Sequence, residues 1–306
     1  MPVTRILIYM QNIGIVGAGT MGRAAAGKII DAGLSLAAFD PYSPSAAIVE
    51  QLGATLATSP AAVAEQSQVI LLFLPGPVQI EEAVAGTSGI LSGISENSVI
   101  VDLSTTDPES TCKLAGLAAS QNVGYLDAPV LGRPTSIGKW ALPVGGEKRY
   151  LEKCRLVLNL LAKEIIPIGA SGSGNKVKLL NQLMFGAINA MTAEMMAIAQ
   201  KVGISPALLY NAITTSEAGT VSNLFRELGK CVAEDDYSNP TFSVDLLCKD
   251  VSLAVQLATR EGAPPVLAQS VVAINKIAQE QGFGGIDTSI MWKCFDSVWA
   301  GESANK

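Results

Sequence analysis

Three glycines near the start of the chain restrict its fold more than any other feature. Gly17, Gly19 and Gly22 form a G-x-G-x-x-G motif between an apolar run and a helix-like segment. In such a strand–turn–helix unit, the first glycine permits a tight turn and the second lets backbone N–H groups approach a pyrophosphate. The third permits close packing of the helix on the sheet. The motif predicts a dinucleotide-binding unit. Its loop consists of Gly17, Ala18, Gly19, Thr20, Met21 and Gly22.

A carboxylate follows the second predicted strand. Asp40 lies 18 residues after Gly22, close to the spacing of about 20 at which an acidic residue binds a ribose 2′-hydroxyl. A cofactor with a 2′-phosphate usually requires a cation here, and Pro41, Tyr42 and Ser43 supply none. The sequence therefore favours NAD over NADP.

Short apolar runs alternate with helix-like segments through the first half of the chain. This alternation predicts an α/β fold with a Rossmann-type, doubly wound parallel sheet. The predicted strands are Asn12–Val16, Leu36–Phe39, Val69–Phe73, Val99–Leu103, Gly124–Leu126, Ala141–Val144 and Glu164–Ile168. The predicted helices of this half are Met21–Ala32 and one that Asp107 and Pro108 open and that ends near Gln121.

The pattern changes near Gly169, after which only helical segments are expected. Residues 1–172 are therefore assigned to a dinucleotide-binding domain and residues 173–306 to an all-α domain for substrate binding and dimerisation. The helices predicted there are Asn175–Lys201, Pro206–Thr214, Ser222–Lys230, Ser243–Glu261, Pro265–Gln281 and Ile286–Trp299. Met1–Met10 is interpreted as a short N-terminal extension, because its apolar run is too short for a signal peptide.

The composition excludes several kinds of chemistry. The chain has no histidine, so a proton donor near neutral pH must be Lys, Cys, Tyr, Asp, Glu or water. Five cysteines without a Cys-x-x-Cys pair indicate thiols in a reducing compartment, and a cytoplasmic protein without a metal site is expected. With 21 basic against 27 acidic residues, a nucleic-acid partner is not expected, nor is a membrane span, because no apolar run is long enough.

Lys178 and Asn181 are candidates for the chemistry because they lie at positions i and i+3 of the long predicted helix and share one of its faces. A desolvated lysine has a lowered pKa and can act as a general acid or base. From spacing alone, Lys178 could equally be a surface lysine. Two loops at the carboxyl ends of strands are further candidates, because ligands of open α/β sheets bind there. They are Leu74–Pro75 and Asp102–Pro108.

Five motifs in this order resemble the β-hydroxyacid dehydrogenases. They are the glycine loop with Met21, Asp102-Leu103-Ser104-Thr105 followed by Pro108, Asp127-Ala128-Pro129-Val130, Gly172-x-Gly174-x-x-x-Lys178-x-x-Asn181, and Phe242 with Lys249-Asp250 and Leu253-Ala254. The resemblance implies that Leu74, Pro75, Thr105 and Lys249 contact the cofactor. It implies that Lys178 and Asn181 are catalytic, and that the segment of Val130, Leu131, Gly132 and Arg133, together with Lys178, binds a substrate carboxylate.

The substrate segment departs from the pattern of this family, which usually continues with Ser-Gly-Gly. Leu131 replaces the serine and cannot donate a side-chain hydrogen bond, which predicts a more apolar pocket. Arg133 adds a guanidinium, which can bind a carboxylate through two parallel hydrogen bonds. It either binds the substrate carboxylate or a second acidic group, or it points to solvent or forms an ion pair. Gln182 stands where the family usually has a second asparagine.

The expected activity is hydride transfer between NAD and a small β-hydroxy acid or its semialdehyde, in a homodimer or homotetramer. A reductase of imines or other carbonyl compounds on the same scaffold is an alternative, although such imine reductases usually lack the helix lysine. A regulatory NAD-binding protein without turnover is a third possibility, against which Lys178 and Asn181 argue. The related decarboxylating 6-phosphogluconate enzymes have a long C-terminal region that this chain of 306 residues lacks.

Overall fold

The computed structural model describes residues 12–216 and 222–303. The chain divides into two compact units after Lys178. The expected extension Met1–Met10 lies outside the described residues. Within the described ranges, no helix combines the length and the apolar character needed to cross a bilayer.

The first unit is built on an eight-stranded sheet with the order β3-β2-β1-β4-β5-β6-β7-β8. The strands β1 to β6 are parallel to one another, β7 is antiparallel to β6, and β8 is parallel to β7. The predicted α/β fold is confirmed, with a reversed pair of strands at one edge. The strands are Ile13–Val16, Leu36–Phe39, Thr55–Leu56, Val69–Leu72, Val99–Asp102, Gly124–Asp127, Trp140–Gly145 and Ala162–Gly169.

Helices connect the parallel strands, and several begin where the sequence supplies a cap. The Ser59 and Asp107 side chains accept hydrogen bonds from the first turns of the third and fifth helices, and a proline follows each cap. A proline there costs no helical hydrogen bond. The helices of this part of the chain are α1 Thr20–Asp31, α2 Ser43–Gln51, α3 Pro60–Glu65, α4 Pro77–Ala85, α5 Pro108–Ala119, α6 Lys148–Leu161 and α7 Ser173–Lys201.

Alternate residues of the central strands face two separate hydrophobic cores. Val69 and Leu71 of β4 pack in one core, and Ile70 and Leu72 pack in the other. Successive side chains of a strand point to opposite faces of the sheet, and helices cover both faces. Both faces of the sheet are therefore shielded from solvent, which explains why these strands are continuous apolar runs.

The second unit, from Leu179 onward, contains no strand among its described residues. Its further helices are α8 Pro206–Thr215, α9 Asn223–Glu234, α10 Val244–Arg260, α11 Val266–Glu280 and α12 Phe295–Ser303. Gly186 of α7 lies so close to α10 that a β-carbon there would be 2.8 Å from Val251 Cγ2. The glycine therefore permits the close packing of these two helices.

The predicted elements agree with the structure with two kinds of exception. The segment Ile286–Trp299 is not one α-helix, because Thr288–Cys294 forms a 3₁₀ helix before α12 begins. The Asp287 side chain accepts a hydrogen bond from Ser289 N at 3.1 Å and starts this tighter turn. The 3₁₀ helices Ile90–Ser92 and Pro134–Ser136 were not predicted, and neither were one strand and four α-helices. This strand and these α-helices are β3, α2, α3, α4 and α6.

Candidate active site

The glycine loop joins β1 to α1 as the motif predicts. Gly17 has φ +95°, and a β-carbon there would clash with the carbonyl oxygen of Phe73. Its N–H donates to Phe39 O at 2.9 Å, which ties the loop to β2. A β-carbon at Gly22 would contact the carbonyl oxygen of Gly17. The first and third glycines are therefore required by the packing of the chain itself.

The second glycine has a different role, because the space beside it is open. A β-carbon at Gly19 would have no neighbour within 4 Å, and its φ of −62° is accessible to any residue. Gly19 caps α1 without a side-chain acceptor, and the first turn contains no acidic residue. A helix N-terminus of this kind attracts anions through its N–H groups and its dipole. This open, uncapped position suits a pyrophosphate, so the loop fits a dinucleotide cofactor.

Asp40 lies beside the same loop at the end of β2. Its Oδ2 accepts a hydrogen bond from Ala18 N at 2.6 Å, and its Oδ1 accepts one from Tyr42 N at 2.8 Å. The carboxylate is half-buried. Each carboxylate oxygen has two lone pairs, so Asp40 retains acceptor capacity for a ribose diol while it holds the loop.

The loops after β4 and β5 lie at the same edge of the sheet. The Ser104 hydroxyl accepts a hydrogen bond from Leu74 N at 2.9 Å and so connects the two loops. Asp102 Oδ1 accepts from Ser104 N at 2.9 Å, and Asp102 Oδ2 accepts from the Tyr125 hydroxyl at 2.9 Å. Burial, followed by the charge of Asp102, raises the pKa of Tyr125 well above its ordinary value. Thr105 is half-buried next to Ser104, whereas Pro75 is exposed.

Asp127 fixes the start of the helix that carries Lys178. This carboxylate is fully buried and accepts from Gly172 N at 2.8 Å and from Asn175 N at 2.9 Å. Burial raises the pKa of Asp127 to about 6, although these two N–H donors act against the rise. A β-carbon at Gly174 would be 2.5 Å from Asp127 O. The glycines of the helix motif thus allow α7 to begin directly against the end of β6.

The structure brings Lys178 to the predicted substrate segment. Lys178 Nζ donates to Val130 O at 2.9 Å, and the lysine side chain is half-buried. Leu131 pairs with Ala141, using both its N–H (2.9 Å) and its carbonyl oxygen (3.1 Å). The backbone N–H of Leu131 is therefore engaged within the protein and is not available to a ligand.

Gly132 and Arg133 continue this segment. A β-carbon at Gly132 would clash with the ring of Trp140. The carbonyl oxygen of Arg133 accepts from Trp140 Nε1 at 2.7 Å, and Arg133 N donates to the Ser136 hydroxyl at 3.0 Å. The backbone that carries the guanidinium is thus fixed by a fully buried tryptophan.

Two predicted site residues lie in the helical unit, where hydrogen bonds connect them. Asn181 Nδ2 donates to Gln182 Oε1 at 3.3 Å, and Gln182 Nε2 donates to Asp250 Oδ2 at 2.6 Å. Lys249 Nζ lies 2.7 Å from Asp250 Oδ1. Gln182 and Asp250 are buried, and Asn181 is exposed. Lys249 and Asn181 are therefore linked through two buried side chains.

Sequence reasoning named Asp127, Gln182 and Asp250 only as motif positions without a supporting role, and it did not single out Asn175. Asn175, Asp127, Gln182 and Asp250 are buried polar residues, and Asn175 is three residues before Lys178. The sequence did offer one signal for them: each is a polar residue in a motif that otherwise consists largely of glycine and apolar residues. Among the described residues, no group of three or more Cys, Asp and Glu side chains is arranged to hold a metal ion.

Comparisons with known proteins agree with this geometry. Residues 12–169 match the family described as the NAD binding domain of 6-phosphogluconate dehydrogenase, and residues 172–295 match the NAD-binding of NADP-dependent 3-hydroxyisobutyrate dehydrogenase. The 2-(hydroxymethyl)glutarate dehydrogenase of Eubacterium barkeri is 30% identical over 289 residues, which are 94% of this chain and 95% of that protein.

Solved structures extend the comparison. A 3-hydroxyisobutyrate dehydrogenase from Salmonella typhimurium has a TM-score of 0.86 and 27% identity, over 92% of this chain and 99% of that one. An imine reductase from a Pseudomonas species has a TM-score of 0.61 and 21% identity, over 93% and 99%. At that identity, the likeness to the imine reductase concerns the fold alone.

The fold and the glycine loop define an oxidoreductase that binds a nicotinamide dinucleotide. The chain belongs to the 3-hydroxyisobutyrate dehydrogenase family of NAD(P)-dependent β-hydroxyacid dehydrogenases. The predicted family and enzyme class are thereby confirmed.

The open space at Gly19 leads to a test of the cofactor loop. Gly19→Ala places a methyl group where a pyrophosphate is expected, and overpacking of this kind costs roughly 1–3 kcal/mol, or about 5- to 150-fold in the Kd for NADH. Gly27→Ala on the same helix is the matched control, because a β-carbon there also has no neighbour within 4 Å. Fluorescence titration with NADH measures both variants. Equal Kd values for Gly19→Ala and wild type would contradict the assignment.

Proposed function

We propose that this protein interconverts a small β-hydroxy acid and its semialdehyde, with Lys178 as the acid/base and Asn181 orienting the substrate oxygen. The observation that carries this proposal is the 2.9 Å contact between Lys178 Nζ and Val130 O. It joins Lys178, the lysine that the resemblance assigns to catalysis, to the segment assigned to the substrate.

Lys178 carries out the proton transfer in both directions of the proposed reaction. The Lys178 ammonium donates a proton to the carbonyl oxygen during reduction, and its neutral amine accepts the hydroxyl proton during oxidation. Val130 O anchors Nζ, so the amine needs little reorganisation before it reacts. When bound, a nicotinamide cofactor supplies or accepts the hydride. Residues assigned to hold that cofactor are Gly17, Ala18, Gly19, Thr20, Met21, Gly22, Asp40, Leu74, Pro75, Thr105 and Lys249.

Asp40 supports a preference for NAD over NADP within this proposal. A carboxylate accepts hydrogen bonds from the ribose diol, and it repels a 2′-phosphate. The backbone bonds from Ala18 and Tyr42 hold the carboxylate beside the glycine loop, so it cannot turn away from that phosphate without breaking both.

A substrate and cofactor screen tests the reaction and this preference together. Turnover is expected with one or more small hydroxy acids or semialdehydes, and with a higher kcat/KM for NAD(H) than for NADP(H). Absorbance of the reduced nicotinamide measures both. Turnover confined to imines would instead indicate an imine reductase. Tighter binding of NADPH than of NADH would contradict the proposed role of Asp40 in cofactor preference.

Substitution of the lysine tests the chemistry. Lys178→Met keeps the side-chain stem and removes the proton-transfer group, so kcat should fall by about 10²–10⁴-fold. The Kd for NADH should change little, because the glycine loop is intact. Lys176→Met is the control, since Lys176 is an exposed lysine of the same helix. A Lys178→Met variant with the parental kcat would remove Lys178 from the chemistry.

We propose further that Arg133 binds an acidic group of the substrate. Its backbone is fixed by Trp140 and Ser136, and it lies three residues after Val130, the contact of Lys178. The related enzyme from Eubacterium barkeri is named for a glutarate, a compound with two carboxylates. Leu131 adds an apolar side chain to the same segment, which favours substrates with an alkyl substituent over polyhydroxylated ones.

A comparison of dicarboxylate and monocarboxylate substrates shows whether Arg133 binds a second carboxylate or the carboxylate that all the substrates share. If Arg133 binds a second carboxylate, Arg133→Met lowers kcat/KM for dicarboxylates by roughly 1.5–3 kcal/mol, or about 10- to 150-fold, and spares monocarboxylates. Equal losses on both would indicate that it binds the shared carboxylate. Lys139→Met, an exposed cation of the same loop, is the control. Unchanged kinetics on every acid would place Arg133 outside the site.

We also propose a homo-oligomer that covers one face of α7. This face carries large apolar side chains that are 45–63% exposed in the single chain and recur at helical spacing: Leu180, Met184, Met191 and Ile198. Contiguous exposed apolar surface usually marks an interface, and a second copy of the chain would cover it. Met191→Glu should lower the molar mass measured by light scattering. A wild-type mass of one chain would contradict the proposal.

A further inference from the structure

Asn175 is a fully buried amide in the first turn of α7, and both ends of its side chain are engaged. Its Oδ1 accepts a hydrogen bond from Thr106 N, and its Nδ2 donates to Thr111 Oγ1, each at 3.2 Å. A buried amide that loses a partner is destabilising. The Asn175 side chain therefore has one orientation that the surrounding protein satisfies.

These bonds connect three elements of the first unit. Thr106 belongs to the loop after β5, Thr111 lies on α5, and Asn175 itself is on α7. The backbone N–H of Asn175 also donates to Asp127 Oδ2 at 2.9 Å, which adds the end of β6. One residue thus ties together the loop, the helix and the strand that border the start of α7.

Two of the proposed site residues stand next to these contacts. Thr105, assigned to the cofactor, immediately precedes Thr106. Lys178, assigned to the chemistry, lies three residues after Asn175 and on the same face of α7. Neither residue needs to touch Asn175 to depend on it. Thr105 adjoins Thr106, whose N–H donates to the Asn175 side chain, and Lys178 follows on the helix turn that the Asn175 N–H ties to Asp127.

We propose that Asn175 is a positioning residue that sets the placement of Thr105 relative to Lys178, and that Thr111 orients it. This inference rests on the proposed function for the identity of the reacting groups. A displacement of about 1 Å between reacting groups can lower a rate by about 10²-fold, so a residue that fixes the neighbours of both groups is expected to have a large effect on kcat. A purely structural amide would affect the stability of the fold and leave the rate per folded molecule unchanged.

Thr111 allows a test that leaves Asn175, Thr105 and Lys178 in place. Thr111→Val keeps the shape of the side chain and removes the acceptor for Asn175 Nδ2, whereas Thr111→Ser retains a hydroxyl. We expect Thr111→Val to lower kcat and to weaken NADH binding, each by about tenfold, and Thr111→Ser to restore both values to nearly those of wild type. KM, Tm and the Kd for NADH are measured on the same samples.

The matched control is Ser59→Ala, which removes the hydroxyl that accepts from Ala62 N and caps α3. It costs about 1 kcal/mol of stability and leaves the hydrogen bonds of Asn175 intact. It should lower Tm without a change in kcat or in the Kd for NADH. If Thr111→Val does not fold, Thr111→Ala is measured in its place. A Thr111 variant that behaves like Ser59→Ala, with a lower Tm and unchanged kcat and Kd, overturns the proposal.

The two proposals can fail separately. If the wild type binds NADH but turns over no hydroxy acid or semialdehyde, the proposed substrate class is wrong. The ratio of NADH Kd values between Thr111→Val and Thr111→Ser then decides on Asn175 alone. A ratio near one overturns the positioning role, and a ratio near ten supports it.

Discussion

The site in the first unit depends on one buried carboxylate. Asp127, at the end of β6, accepts two backbone N–H groups from the segment that opens α7. Without an acceptor, the first N–H groups of a buried helix would have no partner. The long helix therefore begins where the sheet ends, and the position of Lys178 follows from that starting point.

The same contact explains the glycines of the helix motif. Gly172 has φ +89°, and a β-carbon at Gly145 would clash with Asp127 Oδ1. The carboxylate is buried so deeply that its pKa rises to about 6, which means that its charge is costly at neutral pH. The two N–H donors offset part of that cost. Small residues on both sides are thus required for a helix to approach a strand end this closely.

Much of the first unit was predictable, because its signals are local. The glycine loop, the carboxylate at Asp40 and the apolar runs of the central strands each depend on short segments, and the structure places them as expected. The short strand β3 has two exposed residues, so it carries no hydrophobic pattern to detect. Three of the four unpredicted helices have nine residues or fewer, which is too short for a clear helical period. Lys148–Leu161, with 14 residues, does carry that period in its buried side chains, so this helix was predictable.

The buried polar residues that support the candidate site could not be predicted, because their partners lie far away in the chain. Asn175 contacts Thr106 and Thr111, which are 69 and 64 residues away in the chain, and Gln182 contacts Asp250 across 68 residues. A single sequence gives no signal for such pairings. Only the burial of these polar side chains, which is a property of the folded chain, identifies them.

The distribution of the thiols has a practical consequence. Cys154 and Cys294 are buried, and burial raises the pKa of Cys154 to about 12 and that of Cys294 to about 11, so both are nearly inert towards alkylating reagents. Cys112 is exposed, and its Sγ donates to Ser171 O at 3.3 Å, beside the residues that open α7. Among the five cysteines, Cys112 is therefore the exposed attachment point for a fluorophore, next to Thr111 and beside the segment that opens α7.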